Sequence, residues 1–233
     1  MTKYRLRILD IIEEVPGTKT YFLERPEDFT WEEGAHTHIG LVGFDEGEKP
    51  NKEWVRHMSI MTTTDEDRIG FTTRFVAPFS EFKEKLSVLK VGDELVLFKV
   101  GSKMYLRREN RPLVLLSMGV GVATMRPLIH TFIKDSSNIS SIINVNVDSS
   151  KEYIYYSQLE GLTSASYKNY WVGSRNEFYE EVNELSKLEN ALYYVVGSHC
   201  FLLDVIKYLK SKGVENKNIV IDKKDELQAE YFV

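Results

Sequence analysis

Apolar and polar positions alternate along roughly the first hundred residues, and then the rhythm changes. Residues 4–15 alternate and stop at the turn pair Pro16-Gly17. Residues 20–24, 35–44, 54–61, 69–77 and 94–100 read as further strands, and 104–107 as a closing one. Phe79, Phe82, Leu86 and Leu89 recur three to four positions apart, which predicts one helix before Gly92-Asp93. About six or seven closely spaced strands with turn signals predict a sandwich or a closed antiparallel barrel.

In the second half, strands predicted over 113–117, 141–147, 170–173, 193–196 and 219–221 alternate with helices. The helices run over 125–134 and 177–188, and a third carries Phe201, Leu202, Val205, Ile206 and Leu209 before Gly213. That alternation predicts a parallel sheet covered on both faces. The two halves predict domains of 1–108 and 109–233, meeting at the polar run Arg108-Glu109-Asn110-Arg111. Two strand-to-helix junctions carry glycine, Ser117-Met118-Gly119-Val120-Gly121-Val122-Ala123-Thr124 and Val196-Gly197-Ser198. Both lie at the carboxyl edge of the sheet, where ligands of such sheets bind. In the first, Thr124 reads as the helix N-cap and Pro127 as a first-turn residue. The free amides and the dipole of such a helix start suit a phosphate.

Composition narrows the picture. The 233 residues are 42% hydrophobic and 28% charged, with a formal net charge of −5, so nucleic acid is not an expected main partner. No apolar run approaches membrane-spanning length and no signal-peptide core stands at the N-terminus, which predicts a cytoplasmic protein away from membranes. The one cysteine, Cys200, cannot build a disulfide or an all-cysteine iron–sulfur site within the chain. His36 and His38 share a strand face, but no third ligand accompanies them and no metal is expected.

Candidate chemistry starts on the fourth strand with Arg56-His57-Met58-Ser59. Alternation puts Arg56 and Met58 on one face, His57 and Ser59 on the other. Arg56 could fork onto a phosphate or be a solvated strand arginine. Ser80 could cap the predicted helix and leave amides for an anion, and Arg74 ends the fifth strand. Tyr231-Phe232 could cover a ring or be a frayed tail.

The order Arg56-x-x-Ser59, the Ser80 helix, Gly92-Asp93 and Gly119-Val120-Gly121-Val122-Ala123-Thr124 resembles the ferredoxin–NADP reductase family, including its compact flavodoxin- and ferredoxin-reductase-like members. The resemblance spans nearly the whole chain. It implies a Greek-key, FAD-binding antiparallel barrel with one helix, then an NAD(P)-binding α/β domain. It further implies that Arg56, His57, Met58, Ser59 and Ser80 hold FAD (FMN is possible), with Arg56 and Ser80 at its phosphates; Arg74, near the end of the fifth strand, could reach the flavin phosphate or solvent. Ser59 is the catalytic residue on this basis, beside flavin N5. Gly119, Gly121, Val122 and Thr124 would take the pyrophosphate of NADPH or NADH, Ser174 and Arg175 a 2′-phosphate, and Gly197 the nicotinamide side. Met58 stands where the family usually has tyrosine, Thr124 where it has proline, and Val196-Gly197-Ser198 where it has cysteine-glycine-proline. The implied activity is hydride transfer from NAD(P)H to bound flavin, then electrons to a ferredoxin- or flavodoxin-type protein or a small molecule. The alternative is a flavin- or nucleotide-binding module without its own turnover, a sensor or a subunit of a larger redox assembly.

Overall fold

The computed structural model describes residues 2–223 and 225–232, which form two compact units, Met1–Ser102 and Lys103–Val233. In the first unit the strands are β1 (Lys3–Val15), β2 (Thr18–Glu24), β3 (Ala35–Leu41), β4 (Val55–Ser59), β5 (Arg68–Arg74) and β6 (Glu94–Ser102), with helix α1 (Glu81–Ser87) between β5 and β6. They pair in the order β4-β3-β6-β1-β2-β5, each ladder antiparallel. β1 curls from one side to the other: Lys3 to Arg7 pair with β6, and Ile8 to Val15 pair with β2 across register shifts. The ends of the sheet approach each other just past β4, where the Met61 N–H donates to the Gly70 carbonyl of β5 at 2.8 Å. Of the sandwich and the barrel that the alternation allows, this is the barrel, in the Greek-key form that the resemblance implies. Its interior holds Leu6, Tyr21, Ile39, Phe71 and Leu97, and α1 closes it with the buried Phe82 and Leu86.

The seventh strand anticipated over 104–107 does not form. Met104 and Leu106 are buried, so their alternation reflects packing. The Arg107 N–H, which a ladder would have used, donates to the Tyr194 hydroxyl at 3.0 Å.

The second unit has strands β7 (Arg111–Met118), β8 (Ile139–Val147), β9 (Tyr167–Val172), β10 (Leu192–Val196) and β11 (Ile219–Ile221). Its helices are α2 (Val122–Lys134), α3 (Tyr156–Glu160), α4 (Arg175–Leu185), α5 (His199–Ser211) and α6 (Asp225–Gln228). All ladders are parallel, in the order β11-β10-β7-β8-β9. Numbered within this unit, that is strand order 3-2-1-4-5, the doubly wound arrangement of dinucleotide-binding sheets. The order reverses between β7 and β10, so the turns following these two strands flank the switch point.

Tyr231 belongs to the core of this unit. Its hydroxyl lies 2.8 Å from His199 Nδ1, and the Phe232 carbonyl accepts from Lys210 Nζ at 3.3 Å. The C-terminal aromatic pair is therefore pinned to α5 and is not a frayed tail.

Candidate functional site

On the barrel, register fixes which way β4 presents its side chains. Arg56 stands opposite Ile39 and Met58 opposite Thr37, while His57 stands opposite His38 and Ser59 opposite His36. Ile39 is a core residue, so Arg56 and Met58 lie on the interior side and Met58 packs on the core. Arg56 stays at the edge of that side, its guanidinium 5.5 Å from the centre of the Phe82 ring of α1. It donates to two backbone carbonyls, those of Glu53 (3.0 Å) and Val55 (2.8 Å). The Glu53 carboxylate is 3.9 Å away and largely exposed, a weak counterion by geometry.

One more cation stands close by, on a helix that follows Arg74. Lys83 Nζ donates to the Arg74 main-chain carbonyl at 2.5 Å, while the Arg74 side chain itself turns to β2, its Nε donating to the Thr18 hydroxyl at 3.2 Å. Burial, and then the charge of Arg56, push the Lys83 ammonium below its ordinary range. Like charges held near one another at a half-buried corner are an anion site by electrostatics. Lys83 was not among the residues that sequence reasoning singled out. Its signal was its place one turn into a helix that follows Arg74. Ser80 precedes α1 in extended conformation and its hydroxyl makes no capping bond.

In the α/β unit the glycine turn is itself helical. Gly119–Gly121 form a single 3-10 turn that runs straight into α2. Thr124 is therefore not the N-cap: it is 2% exposed and sits inside the helix, and Pro127 lies beyond the first turn. Nothing in the sequence separates a glycine turn that precedes a helix from one that already belongs to it. Gly119 adopts φ +53°, a left-handed conformation that glycine adopts without strain. Gly121 is required for a different reason: a Cβ there would meet the Val196 carbonyl oxygen at 2.8 Å. The turns after β7 and β10 thus touch at the switch point. Asn146 of β8 was not anticipated; its amide donates to the Ser117 hydroxyl (2.9 Å) and the Gly119 carbonyl (3.2 Å), fixing the turn from below. Its signal was a polar residue between valines at the carboxyl end of a buried strand. Val122 follows the turn, buried.

Ser174 and Arg175 sit at the start of α4. The Ser174 hydroxyl accepts from the Glu177 N–H at 3.2 Å, and the Glu177 carboxylate accepts from the Gly173 N–H at 2.7 Å. The run Ser174-Arg175-Asn176-Glu177 is thus a helix start of the S-x-x-E type. Arg175 is 3.7 Å from the Asp204 carboxylate, with its guanidinium 5.1 Å from the Phe201 ring centre. Gly197 lies under the same ring, where a Cβ would approach Phe201 Cδ1 to 2.4 Å, and Ser198 caps α5 by accepting from the Phe201 N–H. Asp222, just past β11, has its carboxyl pushed up to about 6 by burial, with Lys223 pulling the other way. Among the described residues no group of three or more His, Cys, Asp or Glu side chains is placed to hold a metal ion. No helix of the described residues is long and apolar enough to cross a membrane.

A Greek-key barrel capped by one helix, followed by a doubly wound sheet with two glycine turns at its switch point, is the fold of the ferredoxin–NADP+ reductase-like proteins. The chain has that fold. The ferredoxin NADP+ reductase of Neisseria gonorrhoeae, solved with bound FAD and NADP, superposes with a TM-score of 0.80 at 17% identity over 94% of this chain and 98% of that one. The FAD/NAD binding domain of nitric oxide dioxygenase from Vibrio cholerae gives 0.74 at 18% identity, over 94% and 97%. A curated relative, the flavohemoprotein of Vibrio cholerae, is 29% identical over 141 residues. Those residues are 56% of this chain and 35% of the relative, so the chain spans only part of that protein's length. No family model matches the chain.

Proposed function

We propose that the chain is an FAD-dependent NAD(P)H oxidoreductase that delivers electrons to a separate acceptor, a ferredoxin- or flavodoxin-type protein or a small molecule. The observation that carries the reading is the cationic corner of Arg56 and Lys83, beside the end of β5 at Arg74, on a barrel of this fold. A pyrophosphate fits it: two negative charges would offset the burial, and then the Arg56 charge, that depress Lys83, and Arg56 could trade two neutral carbonyl acceptors for charged oxygens. FAD, when bound, takes up two electrons from a nicotinamide and can release them one at a time.

The chain's own share is binding, orientation and exclusion of water. Arg56, with Arg74, Lys83 and the region of Ser80, holds the flavin's phosphates. Met58 offers its sulfur to a ring face and His57 flanks the strand. Ser59 offers a hydroxyl at the reacting edge. Gly119, Gly121, Val122 and Thr124, steadied by Asn146, form the nicotinamide nucleotide's pyrophosphate turn at the switch point. Arg175 leaves Asp204 for the 2′-phosphate of NADPH, beside Ser174. Gly197 keeps the turn after β10 low beside the nicotinamide. The barrel domain, 1–108, is the flavin half and 109–233 the nucleotide half. A cytoplasmic setting belongs to this reading and agrees with the single, free Cys200.

A second reading, a flavin-binding module without turnover, is favoured by one set of observations. Val196 supplies no thiol, Ser174 is spent on a helix cap, and Arg175 is already engaged. Equilibration with FAD, then gel filtration, tests the shared premise. A visible flavin band should co-elute with the protein; an FAD-free protein would defeat both readings.

A further inference from the structure

The outer face of the barrel, on the side of β4 opposite Arg56, carries a cavity of about 500 Å³ to which the proposed function assigns no ligand. Its lining is Lys3, His38, Phe44, Pro50, Lys52, Val55, His57, Phe98 and Lys99. Alternation places it outside: Leu97 and Ile39 face the barrel core, so Phe98 and His38 face out. There Phe44 and Phe98 stack at 5.2 Å with planes 5° apart, forming a small apolar cluster with Val96 that is separate from the main core. The His38 ring lies 5.3 Å from Phe98, and the His57 ring 5.4 Å from His38. The walls are therefore four aromatic rings, from three neighbouring strands and the β3–β4 connection.

The charge around these rings is one-sided. No carboxylate lines the cavity, although the chain as a whole carries a net charge of −5. Lys3 is paired with Asp45 and sits over the Phe44 ring at 5.2 Å. Lys52 and Lys99 have no ion pair among the described residues. Lys99 holds φ +55°, an uncommon conformation for a residue with a side chain. A volume of this size suits a ligand of one or two rings. The ring faces would stack on a planar apolar body, and the two lysines would pair with one negative group.

We infer that this cavity, between β3, β4, β6 and the β3–β4 connection, is a second binding site that takes a planar aromatic acid: a ring system of one or two rings bearing a carboxylate. It lies on the opposite face of β4 from Arg56 and Met58 and shares none of Arg56, Arg74 and Lys83 with the cationic corner; His57 alone, on the strand that flanks the flavin, is common to both. It gives the protein a means of sensing or carrying such an acid next to β4, the strand that also bears Arg56 and Ser59.

The test uses the full chain titrated with 2-naphthoate and, in parallel, with its neutral isostere 2-naphthamide. Calorimetry reads affinity, and proton NMR of the five histidines reads location. The inference predicts that naphthoate shifts the ring signals of His38 and His57, with His130 and His199 unmoved. It also predicts that naphthoate binds more tightly than the amide. Lys52→Gln and Lys99→Gln should each weaken naphthoate about two- to fivefold and leave the amide unchanged. Both variants should retain the wild-type flavin content, which reports an intact barrel. Equal affinity for acid and amide, or an acid affinity indifferent to both lysine variants, would overturn it. Binding that moves neither His38 nor His57 would place the acid elsewhere and also overturn it.

Discussion

The barrel corner and the α/β switch point both present groups suited to an anion, yet they differ in what else those groups do. At the carboxyl edge of the α/β sheet, around the switch point, nearly every distinctive residue has a structural duty. Gly121 admits the Val196 carbonyl, Ser174 caps α4, Ser198 caps α5, and Arg175 faces Asp204. At the barrel corner a cation is held at an electrostatic cost: Lys83 is half-buried, and that burial first, then the neighbouring charge of Arg56, depresses its ammonium. Packing alone does not call for such an arrangement. A motif that the fold itself needs says little about a ligand, whereas a cost that the fold does not need says more. The weight of the functional reading therefore moves from the glycine turn, the more conspicuous feature of the sequence, to two cations scattered along the first hundred or so residues.

The contrast can be broken by mutation. Arg56→Ala should weaken FAD binding about ten- to a hundredfold, the range expected for losing a charged hydrogen bond to phosphate. Reconstitution followed by visible absorbance reads it, and an unchanged flavin content would take Arg56 out of the site. Gly121→Ala should cost about 1–3 kcal/mol of stability by forcing a methyl against the Val196 carbonyl. Denaturant unfolding of the nucleotide-free protein measures it. A variant of normal stability that fails to bind nucleotide would reassign that glycine from packing to ligand.

Asp222 carries an electrostatic cost within the α/β unit. Its folded carboxyl titrates at about 6, above the ordinary aspartate range, so the folded state holds its proton longer than the unfolded chain. Its contribution to stability is therefore neutral in strong acid, worsens as pH rises from the ordinary aspartate range to about 6, and is fully unfavourable above that. Asp222→Asn should raise stability by about 1–2 kcal/mol at neutral pH, a value discounted for its partial exposure, and by little in acid. Unfolding curves at the two pH values check the sign. The smallest effect belongs to Arg175→Ala, which should raise KM for NADPH about two- to fivefold and leave NADH alone, as loss of an exposed charge pair would. Equal changes for both nucleotides would reject a role at the 2′-phosphate.

Much of this was legible in the sequence, for identifiable reasons. The five parallel strands are short branched runs between helical spacings, and all five appear. The barrel strands were legible from alternation, except that Met104 and Leu106 alternate because they pack, not because they pair. Thr124 misled because a buried threonine within a helix and an N-cap threonine look alike from local residue types. Asn146 and Lys83 escaped because each acts across the fold, on a turn and a strand that lie far off in sequence. The cavity over Phe44 and Phe98 was invisible for the same reason: its walls come from four separate stretches.

The central claim, electron transfer from a nicotinamide nucleotide into flavin held by this chain, has one direct measurement. FAD-loaded protein is mixed anaerobically with NADPH and, separately, with NADH, and the visible flavin band is followed. The reductase reading predicts that the band bleaches with at least one of the two. A band that stays unbleached with both would contradict it and leave a flavin-binding module.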